Sequence, residues 1–175
     1  MLDKLHTALV QQAPALFRLP VKLIPAAAQQ ALMLETLKRV FSEALDDDEF
    51  EFLENRWLEV HVRDIGFNSY ISFDNDKLVV KQNIETPDVR FSGDLNDLIL
   101  IAARKEDPDT LFFQRRLLIE GDTELGLEVK NLMDSVDLDL LPPLLRQGLF
   151  SLAAFVQKGL QTSAHADEAH YAHKI

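Results

Sequence analysis

The chain has 175 residues, 47% of them hydrophobic, and a formal net charge of −11. That length fits one domain with extra segments at its ends, and the apolar content is ample for a core and excludes wholesale disorder. The acidic balance excludes general nucleic-acid binding, which depends on Lys and Arg meeting phosphates; the absence of cysteine excludes disulfides and thiolate chemistry.

The start, Met1-Leu2-Asp3-Lys4-Leu5, is too polar for a secretory signal, and no run of about 18 uncharged apolar residues exists to span a bilayer. Together with the missing cysteines, this gives the expectation of a cytoplasmic protein. The charge is unevenly spread. Residues 1–34 carry +2, residues 140–161 carry +2 with no acid, the tail from 162 carries −1, and the stretch 35–139 carries −14. An acidic body is therefore flanked by two apolar, mildly basic segments.

In chain order, Leu2, Leu5, Leu9 and Val10 recur at helical spacing, and Pro14, Pro20 and Pro25 divide the N-terminal stretch into short helical pieces. A firmer helix is predicted over residues 29–45, where Leu34, Leu37, Phe41 and Leu45 share one face. Asp46-Asp47-Asp48 stops it, since acids oppose the negative end of a helix. The period then becomes two. Leu58, Val60 and Val62 alternate with Glu59, His61 and Arg63, and Phe67, Ile71 and Phe73 read the same way. Asp74-Asn75-Asp76 makes a turn into a hairpin partner over residues 77–83, and Val89 and Phe91 form a further short strand. The short connections predict antiparallel pairing.

Two junctions repeat one pattern. Phe91-Ser92-Gly93-Asp94 leads into Leu95, Leu98 and Ala102, and Ile119-Glu120-Gly121-Asp122 leads into Leu125, Val129, Leu132, Met133 and Val136. Each is a strand, a Gly suited to a tight turn, an Asp suited to N-capping, and an amphipathic helix. Asp107-Pro108 opens a helical turn between them. Neither junction is a phosphate loop, which needs several glycines and a Lys. With about five strands in a block and helices gathered after them, the fold class is α+β, a mostly antiparallel sheet covered by helices on one face.

No catalytic constellation emerges. Pairs such as Glu49/Glu51 and Asp137/Asp139 are expected by chance in so acidic a chain, and His61 sits on the polar face of its strand. His165, His170 and His173 lie in a Ser/Ala-rich tail where disorder is expected, so no metal site is assigned. The glycines and serines form no dinucleotide fingerprint and no nucleophile elbow. The segment after Pro143 is predicted to be a helix of about 18 residues, roughly 27 Å long, with Leu145, Leu149, Leu152, Val156 and Leu160 on one stripe. Arg146, Gln147, Gln157 and Lys158 make it too polar to cross a bilayer, so it covers the core, lines a cavity, or meets a membrane surface or a partner helix.

Residues 89–94 and 111–122 and the helix through Leu132-Met133 resemble the sterol carrier protein type-two lipid-binding domain, a likeness running over about residues 36–137. The resemblance implies a curved sheet under helices with a hydrophobic tunnel between them. Residues 53–65 and 102–116, with Met1-Leu2-Asp3-Lys4-Leu5 and Pro20-Val21-Lys22-Leu23, are similar to a narrower group of bacterial accessory factors of oxygen-independent ubiquinone biosynthesis. That likeness implies a non-catalytic binder of prenylated quinones, their precursors or phospholipid, without cofactor, acting with the proteins UbiU and UbiV and presenting its cargo to hydroxylases. Under it the expected lining residues are Phe112, Phe113, Leu118, Leu132 and Met133, joined by Leu145, Leu149 and Leu152 of the terminal helix. The expected organisation is an N-terminal helical segment (1–35), the lipid-binding domain (36–137), an apolar helix (138–161) and a disordered tail (162–175). The basic ends are expected to allow peripheral membrane contact. An assembly module that docks on pathway enzymes without cargo is the alternative.

Overall fold

The computed structural model describes Val10, residues 23–136 and residues 138–172. The short helical pieces expected before Pro20 lie outside these residues, apart from Val10. Helix α1 (Ala26–Val40) starts directly after Pro25, whose ring fixes φ at −56°. The helix expected to run on to Leu45 is interrupted at Phe41 (φ −110°) and resumes as α2 (Ser42–Asp46). At the break the Phe41 ring meets the edge of Phe50, centroids 5.6 Å apart, an aromatic contact that helical spacing alone does not reveal. The three acids end α2 as expected, and Asp48 takes a left-handed φ of 58°.

Five strands follow: β1 (Leu58–Val62), β2 (Phe67–Asp74), β3 (Lys77–Lys81), β4 (Val89–Gly93) and β5 (Leu118–Gly121), in the spatial order β3-β2-β1-β4-β5. Asn75 and Asp76 both have positive φ, the conformation that matches a two-residue hairpin turn to strand twist. Three of the four pairings are antiparallel, while β1 and β4 run parallel. The exception has a geometric cause. Lys81 at the end of β3 is level with Tyr70 and Glu59, and β4 begins opposite Leu58, so the link 82–88 crosses beneath the first residues of β1. Trp57 fastens that crossing: its N–H donates to the Asp88 carboxylate at 2.7 Å, and its carbonyl accepts from the Asp88 N–H at 2.9 Å.

Strand alternation sends Leu58, Ile71, Phe73, Leu78, Val89 and Phe91 to one face, where they form the main core with Leu111, Leu117, Leu125, Val129 and Leu132. The opposite face carries Glu59, Tyr70 and Arg90 side by side in register. Glu59 is 2% exposed there, and its carboxylate accepts from Arg90 Nε at 2.6 Å and from the Tyr70 hydroxyl at 3.3 Å. Burial, then the neighbouring Glu59 charge, pushes the Tyr70 hydroxyl above its ordinary pKa.

The two Gly-Asp junctions differ in how they work. Asp122 caps α5 (Thr123–Ser135) by accepting from the N–H groups of Glu124 and Leu125 at 3.0 and 3.1 Å. Gly121 needs to be glycine: its φ is 106°, and a Cβ would stand 2.3 Å from the Asp88 carbonyl oxygen. The first junction departs from the expected pattern. Asp94 makes no cap bond to α3 (Leu95–Ala102) because its carboxylate binds Arg63 Nε at 3.0 Å. Asp64, from the β1–β2 turn, takes the Leu95 N–H instead at 3.0 Å.

The carboxyl of Asp122 is held below its usual range, first by the Leu125 N–H and further by the Glu124 N–H and Arg56. A carboxylate with a lowered folded-state pKa contributes stability above its ordinary value of 3.8, and that contribution is lost as pH falls through the folded value. Asp122→Asn, which retains the cap acceptor, is expected to flatten the acid limb of a urea midpoint-versus-pH curve below that point. An unchanged limb would refute the assignment.

Helix α4 (Pro108–Phe113) begins as expected, with Asp107 accepting from the Thr110 N–H at 3.0 Å and Pro108 in the first turn. Helix α6 (Pro143–Ala172) packs across α3. The chain from 162 to 172 continues this helix, with no Gly or Pro to stop it. A second cluster is formed by Val10, Leu100, Ala103, Ala153 and Val156, with Ile99, Leu149 and Leu160 at its margin. Helix α3 thus stands between the clusters, Ile101 facing the main core and Leu100 facing α6. Gly159 is required by close packing, since a Cβ there would meet Val10 Cγ2 at 2.4 Å.

Candidate functional site

The ends of α3, α5 and α6 converge on one opening. A groove of about 490 Å³ is bounded by Ala103, Arg104 and Lys105 after α3, by Asp134, Ser135 and Val136 at the end of α5, by Leu138 and Asp139, and by Phe150 of α6. It adjoins a pocket of about 250 Å³ lined by Ile101, Met133, Pro108 and, on shared walls, Arg104, Lys105 and Asp134. A third opening, of about 340 Å³, lies on the far side of α5 against Phe52 and Leu132. The C-terminal turn of α5 is therefore the common wall of all three.

Arg104 sets the geometry of this wall. It takes a left-handed φ of 53°, which turns its guanidinium to the end of α5. There one terminal nitrogen donates to the carbonyls of Asp134, at 2.8 Å, and Val136. These carbonyls are among the last of the helix, which have no intrahelical partners, and a cation also suits the negative helix end. Lys105 places its ammonium 5.7 Å from the centroid of the Phe150 ring. The groove lining mixes apolar Ala103, Val136, Leu138 and Phe150 with charged Arg104, Lys105, Asp134 and Asp139.

The expected lining residues separate into groups. Leu132 belongs to the main core, Met133 packs against it and lines the 250 Å³ pocket, and Leu149 borders the α3–α6 cluster. Leu118 is half-buried on β5. Leu152 is 42% exposed, and Ala153 takes the inward position beside Leu149, Val156 and Leu160. Small Ala103 and Ala153 let α3 and α6 approach, which shifts the buried stripe by one residue from the leucine-only pattern. Phe112 and Phe113 are 42% and 82% exposed, so α4 holds them outside both clusters. The side chain of Leu145 lies outside the described ones.

Arg104, Lys105, Val136, Leu138 and Phe150 were not among the expected residues. A basic pair in a strongly acidic body, wedged between Ala103 and the Asp107-Pro108 helix start, is the sequence signal that points to this corner. Among the described residues, Glu59 is a deeply buried carboxylate with cationic and hydroxyl partners, and it is on the far face of the sheet.

A mixed five-stranded sheet with helices over one face, and a groove at the helix ends, is the architecture of a sterol-carrier domain. The chain belongs to the SCP-2 sterol transfer family, whose model matches residues 34–134. It is 55% identical over 163 residues to the ubiquinone biosynthesis accessory factor UbiT of Escherichia coli strain K12, with 93% of each chain covered. UbiT of Escherichia coli O157:H7 matches equally. Among solved structures, a UbiJ-SCP2 ubiquinone synthesis protein superposes with a TM-score of 0.50 at 16% identity, over 60% of this chain and 92% of its own. No helix among the described residues is long and apolar enough to cross a membrane.

Proposed function

We propose that this protein is a non-catalytic accessory factor of ubiquinone biosynthesis that holds a prenylated quinone, or a precursor, with its chain in the groove at the ends of α3, α5 and α6. The observation that carries the reading is the 55% identity to UbiT across 93% of both chains. The groove and its neighbour fall in the size range typical of small-molecule sites, roughly 300–1,000 Å³ when joined. At about 0.8 kcal/mol per buried CH₂, ten sheltered carbons supply roughly 8 kcal/mol before the costs of binding, so no dedicated polar anchor is needed. Recognition by chain length and shape follows from that.

The finer reading is that cargo is presented to hydroxylases of the oxygen-independent route, together with proteins like UbiU and UbiV. Residues 36–137 form the container, the end segments control access to it, and Met133, Leu132, Leu118 and Leu149 contribute apolar wall. Protein purified without detergent is expected to yield prenylated quinone or a precursor on organic extraction and mass spectrometry. Empty protein that also fails to take up added quinone would overturn the reading.

The alternative, a docking module without cargo, draws on the outward face of α6, where Leu144, Leu152 and Phe155 are exposed. It is favoured if a groove-blocked variant retains pathway partners and supports quinone synthesis at the normal rate.

A further inference from the structure

The most exposed aromatic surface among the described residues is on α4, away from the groove. Phe112 and Phe113 stand at its end with ring centroids 5.9 Å apart in an edge-to-face pair. The platform beneath them is rigid. Leu111 is completely buried, and its carbonyl accepts from the N–H groups of both Arg116 and Leu117 at 2.9 and 3.1 Å. This closes the helix in a tight turn that holds Arg115 at a φ of 60°, a left-handed conformation costly for a residue with a side chain. Lys130 Nζ on α5 grips the Asp109 carboxylate at 2.7 and 2.8 Å, one turn before the phenylalanines. Leu127, one turn earlier on α5, is also exposed.

Around the tip, Asp109 is paired with Lys130 and Asp97 with Arg116, while Asp107 caps α4 and keeps its charge. The Arg115 N–H donates to the Phe112 carbonyl at 2.9 Å, while its exposed guanidinium has no hydrogen-bond or ion-pair partner among the described residues. Two projecting aromatic rings beside a free guanidinium suit a layer that is apolar inside and anionic at its face.

We propose that the α4 tip is a membrane-docking wedge, with Phe112 and Phe113 entering the interface of an anionic bilayer while Arg115 meets lipid phosphates. The proposal rests on the lipid-cargo reading for its purpose, since an apolar cargo resides in a bilayer and has to be collected there. Phe113 is 82% exposed and Phe112 42%, so both rings can enter a fluid interface without the matching pocket that a protein partner would have to supply. It belongs to neither of the basic end segments at which membrane contact was expected.

The test is co-sedimentation of the full chain with vesicles of equal parts phosphatidylcholine and phosphatidylglycerol. The native chain is expected to partition, and Phe112→Ala/Phe113→Ala to lower the partition coefficient at least about tenfold, as loss of two interfacial rings requires. Arg115→Gln is expected to lower it several-fold on these vesicles and to leave binding to phosphatidylcholine alone unchanged. Phe113→Glu, at the most exposed position, guards against a folding defect in the double variant. Native protein that ignores vesicles, or variants that bind as the native chain does, overturn the proposal. So does loss of a protein partner by the variants with vesicle binding intact. Quinone delivered from cyclodextrin separates the two readings: tip variants should still take it up. If no form takes up quinone while vesicle binding remains tip-dependent, the cargo reading fails and the wedge stands.

Discussion

Leu111→Ala is expected to destabilise the protein by about 3–5 kcal/mol, whereas Phe113→Ala, two residues away, should change stability by no more than about 0.5 kcal/mol. Leu111 has no exposed surface and is packed with Leu117, Leu125 and Val129 in the main core. Removing three of its carbons forfeits their transfer free energy and leaves a cavity that the surrounding strands and helices can only partly close. Because its backbone also roots the turn after α4, the loss should extend to the presentation of Phe112 and Phe113. Urea unfolding of both variants measures the contrast. Equal midpoints for the two would show that α4 is not anchored as described.

That contrast marks where the chain could be read and where it could not. Leu111-Phe112-Phe113 is an apolar run too short to show a period, so nothing local separates the buried root from the exposed tip. Periodicity succeeded where elements were long enough to repeat. Leu58, Val60 and Val62 alternate onto one sheet face, and Leu125, Val129 and Leu132 follow one helix face. Local hydrogen-bonding chemistry was equally legible at Asp107 and Asp122, whose carboxylates reach N–H groups only two or three residues ahead. At Asp94 the same rule failed, because Arg63 from a neighbouring strand claims the carboxylate and Asp64 replaces it. Spacing along the chain carries no trace of that exchange.

The candidate site was hidden for the same reason. Its walls come from four separate stretches, and the residue that joins them, Arg104, acts through a left-handed backbone and two carbonyls thirty residues on. Met133 was legible as an inward helix position, while Phe150 reaches the groove from a helix whose buried stripe is set by small Ala153 and Gly159.

Met133→Trp is expected to lower quinone affinity on the order of a hundredfold while the fold is kept. Met133 packs against the main core on one side and lines the 250 Å³ pocket on the other, so a larger ring at this position has free volume in one direction. An indole that displaces about four chain carbons removes roughly 3 kcal/mol of burial at about 0.8 kcal/mol each, which is a little over a hundredfold in affinity. Overpacking should cost the fold only about 1–3 kcal/mol, because the pocket opens to solvent. Quinone uptake from cyclodextrin, quantified beside a urea midpoint, separates occlusion from unfolding. Met133→Leu, of similar volume, should bind nearly as the native protein does. Native affinity in a well-folded Met133→Trp would move the cargo to the far side of α5, where Phe52 and Leu132 wall the 340 Å³ opening.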